Sequence, residues 1–435
     1  MTTALTRDDL VAAYHASGKP RERWLVGAEF ERHLICPATG APLAYEGEPG
    51  IRWLLETLAG RGWSEVREGD TLIALHRERG DVTLEPGGQF ELSGSPFVTA
   101  REVMAESRAF ADQVAEILDA CGVRQIALGF TPFTPIADVS WVPKGRYRVM
   151  REHLSHTGEL AHHMMKGTAA VQATYDYADE ADCARKVRLA TLLGPLTTAT
   201  FANSPYAEGR ATGFASWRGH IWTRTDPART GFPEASEHFT FEAWVDWLLQ
   251  VPMMFYKDKG GQWRAAQGRT FADWMADPAS GPTLDDWELH LTSVFPEVRT
   301  KRAIEVRGAD CVKLSLAAGF VAMWRGLFYD SRALDQATEL ALAFASHGTQ
   351  PERFAEACRH GLRGEIGGRR LASWAEALLD IAEAGLQALD PDDVPQLAAL
   401  QAQVASGRSP AHDLLDTLGD EPDPAALLET ARIIG

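Results

Sequence analysis

Cysteine is scarce in this chain. Its 435 residues hold five, Cys36, Cys121, Cys183, Cys311 and Cys358, widely spaced and with no CxxC pair. That pattern argues against a thiolate zinc site and against a disulfide framework. Lysine and arginine are short as well, 43 against 60 acidic residues, for a formal net charge of -17. Nucleic acid is therefore not an expected partner, because phosphate contacts need clustered Lys and Arg. The acidic excess itself serves solubility. No apolar run reaches the ~20 residues needed to span a bilayer, so no membrane partner is expected. The opening MTTALTRDDLVAAYHASGKPRERW carries Arg7, Asp8 and Asp9 and has no apolar signal core. From these absences a cytoplasmic protein is expected. There is no GxxxxGK[ST], no GxSxG elbow, no HExxH and no internal repeat. His162-His163 is a poor chelator, because adjacent residues on a helix or strand point apart.

What is present reads as a mixed chain with a substantial core. Residues 7–16 suggest a helix capped by Thr6. WLVGAEFERHLICP reads as a strand, and residues 51–62 place Ile51, Leu54, Leu55 and Leu58 on one helical face. TLIALHRERGDVTLEPGGQFELSG looks like two strands joined at Arg79-Gly80-Asp81. Residues 99–121 have helical spacing, QIALGFTP is a further strand candidate, and 180–202 is a helix broken near Gly194-Pro195. Residues 298–310 read as one strand. Past about residue 312 the chain turns Ala- and Leu-rich; 373–390 is an amphipathic helix and 404–424 is loose. Strands and helices do not alternate cleanly, so the class is α+β. The length suggests two parts, residues 1–330 and a helical region 331–435.

Three segments place acids on strands, where alternate side chains share a face. In Gly27-Ala28-Glu29-Phe30-Glu31 the two glutamates project together with no cation between them. A divalent metal resolves that repulsion, and Mg²⁺ takes hard oxygen ligands while keeping water; a solvated edge strand also accounts for the pair. In the segment 83–94, Gln89 and Glu91 share a face, and Pro86-Gly87-Gly88 can re-aim the strand so that Glu85 joins them. A plain hairpin turn is the other explanation. In the segment 297–307, Glu297, Arg299, Lys301, Glu305 and Arg307 share one parity. Glu305 suits a metal and the cations suit phosphate, although a ladder of surface ion pairs has the same pattern. Taken together, the five acids Glu29, Glu31, Glu85, Glu91 and Glu305 beside Arg and Lys suit a metal-bridged nucleoside triphosphate. Phosphoryl transfer asks mainly for positioned cations.

The words LEPGGQFELSG (84–94), PKGRY (143–147), FANSPYAEG (201–209), FPEVRTK (295–301) and IEVRGAD (304–310) stand in this order. They resemble the glutamate–cysteine ligases of the plant and proteobacterial type, and the likeness runs from about residue 24 to about 330. The resemblance implies a catalytic cradle like that of glutamine synthetase: a curved, mainly antiparallel sheet with flanking helices and a helical C-terminal region. It also implies the reaction. ATP phosphorylates the glutamate γ-carboxylate, and the cysteine amine then displaces phosphate, giving γ-glutamylcysteine, a precursor for glutathione. Two or three Mg²⁺ ions would be held by Glu29, Glu31, Glu85, Gln89, Glu91 and Glu305. Lys301, Arg307 and Arg299 would carry catalysis. Arg146, Thr168, Gln172, Thr174, Arg218, Trp222 and Arg229 would bind substrate. Thr174 stands where Asn is expected, which opens the alternative of a different amine acceptor; Arg229 also has a loop-pairing explanation with Asp226. A catalytically degenerate nucleotide or glutamate binder is a further alternative. The plant members carry regulatory disulfides whose cysteines find no match here, so a reduced enzyme is expected. A monomer or homodimer is expected to act on glutamate, cysteine and ATP.

Overall fold

The computed structural model describes residues 5–277 and 281–434. Ten strands join in one sheet. Its spine is Val26–Cys36, flanked on one side by Ala170–Tyr175, Ile304–Asp310 and Val298–Thr300. On the other side lie Phe90–Ser93, Asp81–Leu84, Thr71–His76 and Ser64–Glu68. Every pairing in it is antiparallel. The α+β expectation with a mainly antiparallel sheet and helices beyond residue 312 therefore holds.

Alternation along the spine decides the two faces. Val26, Ala28 and Phe30 turn inward and are buried with Val171, Ala173 and Tyr175 of the neighbouring strand. They pack with the helices Ala100–Asp119 and Leu314–Tyr329, which bring Val103, Phe320 and Leu327. The opposite face carries the acids. Local signals set the helix starts: Thr6 and Thr99 each close a capping box, with Asp9 and Glu102. The chain between 180 and 202 breaks where Gly194-Pro195 opens a second helix, Gly194–Thr200.

Several expectations are corrected. Residues 71–94 form three strands rather than two, because the Pro86-Gly87-Gly88 turn interrupts the pairing. A Cβ on Gly87 would lie 2.2 Å from the Lys166 carbonyl oxygen, and Gly88 has φ +88°. No other residue type fits that double position without moving the turn. Residues 298–310 form a hairpin rather than one strand, pairing Arg299 with Glu305. Of the QIALGFTP segment only Gln125 and Ile126 belong to a strand, Arg124–Ile126, and Pro410–Leu418 makes a helix inside the stretch expected to be loose.

The C-terminal helices are tied to the sheet layer. Asp393, fully buried, accepts from the Ala100 and Arg101 amides at 2.8 and 3.1 Å and lies 3.0 Å from Arg325 Nη1. It thus serves the orphan donors at the start of Ala100–Asp119. Asp393→Ala should cost about 3–5 kcal/mol of unfolding free energy, read by urea titration. The protein that remains folded should keep its kcat, since the cavity described below does not include this residue.

His290 is buried with Nε2 2.9 Å from the Leu248 carbonyl, and burial pushes its pKa down to about 4. An imidazole with a lowered folded pKa contributes stability above its unfolded value of ~6.5 and loses it as pH falls toward 4. Between pH 7 and pH 5 the loss is about 2 kcal/mol. His290→Gln should remove that part of the acid sensitivity in urea melts at the two pH values. His33 and His412, both lowered to about 4 by burial, keep theirs.

Candidate active site

Strand register brings the acids together. On the outer face Glu31 stands opposite Glu91, which stands opposite Thr83; Glu29 stands opposite Gln172 on one side and Ser93 on the other. Glu85 extends this face beyond Leu84, its amide donating to the Gln89 carbonyl at 3.0 Å. A cavity of about 230 Å³ opens over these rows. Glu29, Glu31, Glu85 and Glu91 form one wall. Arg146, Arg218, Arg299, Lys301 and Arg307 form another. Tyr147, Met150, Met164, Met165, Trp222 and Phe255 add an apolar side.

The acid wall is under strain of charge. Burial first, then Glu91 and Glu305, push the Glu29 carboxyl up to about 8. Burial first, then Glu85 and Glu91, push Glu31 well above the carboxylate range, and burial with Glu91 raises Glu85. Glu31 still accepts from the Ala170 amide at 2.7 Å and from Gln172 Nε2 at 3.0 Å. Glu91 Oε1 accepts from the Thr83 and Ser93 hydroxyls at 2.5 and 2.6 Å. Hard oxygen donors with suppressed ionisation and no interleaved cation fit a divalent hard cation. Among the described residues no three His, Cys, Asp or Glu side chains already close on a common metal position. The acids ring the space instead, which suits Mg²⁺ sharing its shell with water and phosphate oxygens.

The basic wall is organised around Glu305. Arg299 forks onto it, Nε to Oε2 at 2.8 Å and Nη2 to Oε1 at 3.0 Å. Arg307 bonds Glu305 Oε1 and Gln172 Oε1, and Lys301 Nζ lies 3.8 Å from Glu305 Oε2. Burial opposes ionisation of Glu305, but Arg299, Arg307 and Lys301 overcome it and hold the carboxyl well below its ordinary range. Arg299, ahead of burial, lowers Lys301. Glu305 is therefore committed to three cations and sits behind them, off the cavity wall, which is a different place from the metal-ligand role expected of it. Gln89 lines the cavity, but its amide is already engaged. Its Oε1 accepts from the Gly87 amide at 3.0 Å and its Nε2 donates to the Thr168 carbonyl at 2.7 Å, so its amide braces the turn that carries Glu85.

Among the expected substrate residues, Arg146, Thr168, Gln172, Arg218 and Trp222 line the cavity. The Thr168 hydroxyl is turned onto the Met164 carbonyl at 2.7 Å. Arg229 does not line the cavity. It is fully buried, bonding Asp226 Oδ2 at 2.6 Å, Pro252 O at 2.7 Å and Ser293 O at 3.1 Å. The pairing with Asp226 is its structural role. Thr174 lies on the outer face between Gly27 and Glu305, outside the cavity wall. A Cβ on Gly27 would meet its Oγ1 at 2.7 Å, so glycine makes room for it. Its place beside Glu305 separates it from the apolar side of the cavity.

Two groups escaped the sequence reading, although words already quoted contained them. Asp310 of IEVRGAD accepts from the Asn203 amide at 2.8 Å and from the Ser204 and Ser216 hydroxyls at 2.6 and 2.9 Å, and lies 3.7 Å from Arg218 Nη1. The FANSPYAEG word thus supports Arg218 through one buried carboxylate. In PKGRY, Lys144 Nζ donates to the Leu84 carbonyl at 3.0 Å, Tyr147 donates to the same oxygen, and the Val142 amide donates to Pro86 O at 2.9 Å. That segment clamps the backbone around Glu85 while presenting Arg146. The apolar side, with its methionines, carries no spacing signal.

Comparison with known proteins adds an independent line. The model of glutamate-cysteine ligase family 2 (GCS2) matches residues 25–429. A chloroplastic glutamate–cysteine ligase of Brassica juncea is 38% identical over 434 residues, covering 97% of this chain and 82% of its own. Glutamate–cysteine ligase B, chloroplastic, of Oryza sativa subsp. japonica is 37% identical over 430 residues, covering 96% and 84%. A crystal structure of glutamate–cysteine ligase from Francisella tularensis in complex with AMP superposes with TM-score 0.57 at 13% identity, covering 94% of this chain and 87% of that one. At that identity the likeness is one of fold. The cytoplasmic expectation is contradicted by the names of these relatives, which are chloroplastic. The physical reason is that an opening without an apolar core speaks only against a secretory signal and does not fix a compartment.

Proposed function

The chain belongs to glutamate-cysteine ligase family 2, and from that membership we propose that its acid-lined cavity is where glutamate is joined to cysteine. The protein is an enzyme of γ-glutamylcysteine formation. One observation carries the placement: Glu29, Glu31, Glu85 and Glu91 face Arg146, Arg218, Arg299, Lys301 and Arg307 across a single cavity.

In this reading the glutamate γ-carboxylate oxygen attacks the terminal phosphorus of ATP, ADP leaves, and the cysteine amine attacks the acyl carbon while phosphate leaves and one proton is released. Glu29, Glu31, Glu85 and Glu91 would hold Mg²⁺, which when bound neutralises phosphate oxygens. Arg307, Arg299 and Lys301 position and balance the charge spread over the moving phosphoryl group. Arg146, whose Nε has no hydrogen-bond partner among the described residues, is placed to hold a substrate carboxylate. Gln172 bridges the acid and basic walls through Glu31 and Arg307. Residues 1–330 would form the catalytic part and 331–435 a helical buttress joined through Asp393. All these groups come from one chain, so a monomer or a homodimer with two independent cavities both satisfy the proposal.

The test is direct. Purified protein with ATP, Mg²⁺, glutamate and cysteine should release γ-glutamylcysteine and ADP in equal amounts. Excess EDTA should abolish turnover, and restoring Mg²⁺ should recover it. In the metal-free protein, saturating Mg²⁺ should raise Tm by several degrees through preferential binding to the folded state. No dipeptide with either Mg²⁺ or Mn²⁺ would overturn the proposal.

A further inference from the structure

Outside the cavity, two cations share one ring without an acid. Arg151 Cζ and Lys166 Nζ each lie 5.0 Å from the Trp141 ring centroid, and His162 meets the same ring edge-on at 5.4 Å. His162 also bonds the Arg151 carbonyl at 3.0 Å, which draws these groups into one cluster. Lys166 is only 4% exposed. Among the described residues its ammonium has no hydrogen bond and neither cation has a carboxylate within 4.0 Å. Asp138 acts on Lys166 only at longer range, against burial and the like charge of Arg151, which together push the Lys166 pKa down. In a chain with formal net charge -17, acids are abundant, yet none is spent here. The Lys166 stem is enclosed but its ammonium still reaches solvent, so burial costs it part of its hydration rather than all of it. Cation–π contact with Trp141 offsets part of that cost and holds both stems in place.

We propose that Lys166 and Arg151, set around Trp141, form a binding site for a small divalent oxyanion of the phosphate class. Lysine supplies a compact charge and arginine a planar fork, a pairing suited to tetrahedral oxygens. The site abuts the cavity from behind. Lys166 directly follows Met164 and Met165 of the cavity wall, and its carbonyl packs against Gly87 in the turn that carries Glu85. The residue after Trp141, Val142, donates to Pro86 O of that turn. An anion held here therefore stiffens the support of Glu85 without entering the cavity.

The test reads binding and not turnover, so it is independent of the ligase assignment. The indole N–H signal of Trp141 is identified by its loss in Trp141→Phe. The full-length protein is then titrated with inorganic phosphate at constant ionic strength, with AMP in a parallel arm as a second source of phosphate. A saturable shift of that signal by inorganic phosphate is expected, weakened about tenfold in Arg151→Met and in Lys166→Met. Arg151 is exposed, so its variant keeps the test valid should Lys166→Met fold poorly. An absent or non-saturating shift overturns the proposal. So does an unchanged curve in Arg151→Met, which places the anion elsewhere, or a response to AMP alone, which makes the site a nucleotide's.

Discussion

Glu85→Gln should lower kcat by about a thousandfold, a loss of the size seen when a preorganised charge is removed from a polar transition-state site. It should do so without lowering Tm. The carboxyl is buried beside Glu91, and both burial and that neighbour oppose its charge. An uncharged isostere relieves the repulsion, so the metal-free variant should melt at the same temperature as the parent or slightly above it. Its backbone is held by Lys144, Tyr147 and Gln89 rather than by its own side chain, which further protects the fold. Steady-state rates and thermal melts with and without Mg²⁺ check both halves. The Mg²⁺-induced rise in Tm should shrink in the variant. Activity within a few-fold of the parent would mean that this acid lies outside the chemistry.

Arg307→Lys keeps the charge and should still reduce kcat by about a hundredfold or more, with the KM for glutamate moving much less. Arg307 bonds both Gln172 and Glu305, and so reaches into the cavity from a fixed position. The strand register shifts between Val306 and Ala309, and this bulge aims the side chain. Both contacts come from Nη1, which leaves Nε and Nη2 of the planar fork to face phosphoryl oxygens; the single ammonium of a lysine has no second nitrogen to do so. A raised KM with an unchanged kcat would instead make Arg307 a ground-state binder.

The two predictions differ in how visible their residues were beforehand. Period-two alternation put Glu29 beside Glu31 and Gln89 beside Glu91, because side-chain direction on a strand is local. The same rule allowed Glu85 to join them across Pro86-Gly87-Gly88, yet gave no hint that Gln89 spends its amide on the Gly87 amide and the Thr168 carbonyl. Reading residues 298–310 as one strand kept Glu305 on the charged face. Only the hairpin set Arg299 directly across from it and turned a supposed metal ligand into the anchor of three cations. Arg229 shows the opposite error. Its sequence suggests a pocket role, with the Asp226 ion pair as the other explanation, and the buried pair is what the structure holds.

By itself, then, the amino-acid sequence determined the α+β class, the strand faces, the helix cap at Thr6, and the family, through words such as LEPGGQFELSG and IEVRGAD. Each of these depends on residues near one another in the chain or on the order of whole words. The tertiary structure alone decided which acids share a wall, which cations are already neutralised, and that Asp310 and Lys144 stand behind the cavity. Those outcomes depend on register between strands as far as 149 positions apart, Val26 opposite Tyr175, and on contacts of longer span such as the Cys311 thiol donating to the Glu31 carbonyl. They depend equally on burial, which sets whether a charge is solvated, paired or left to be met by a ligand.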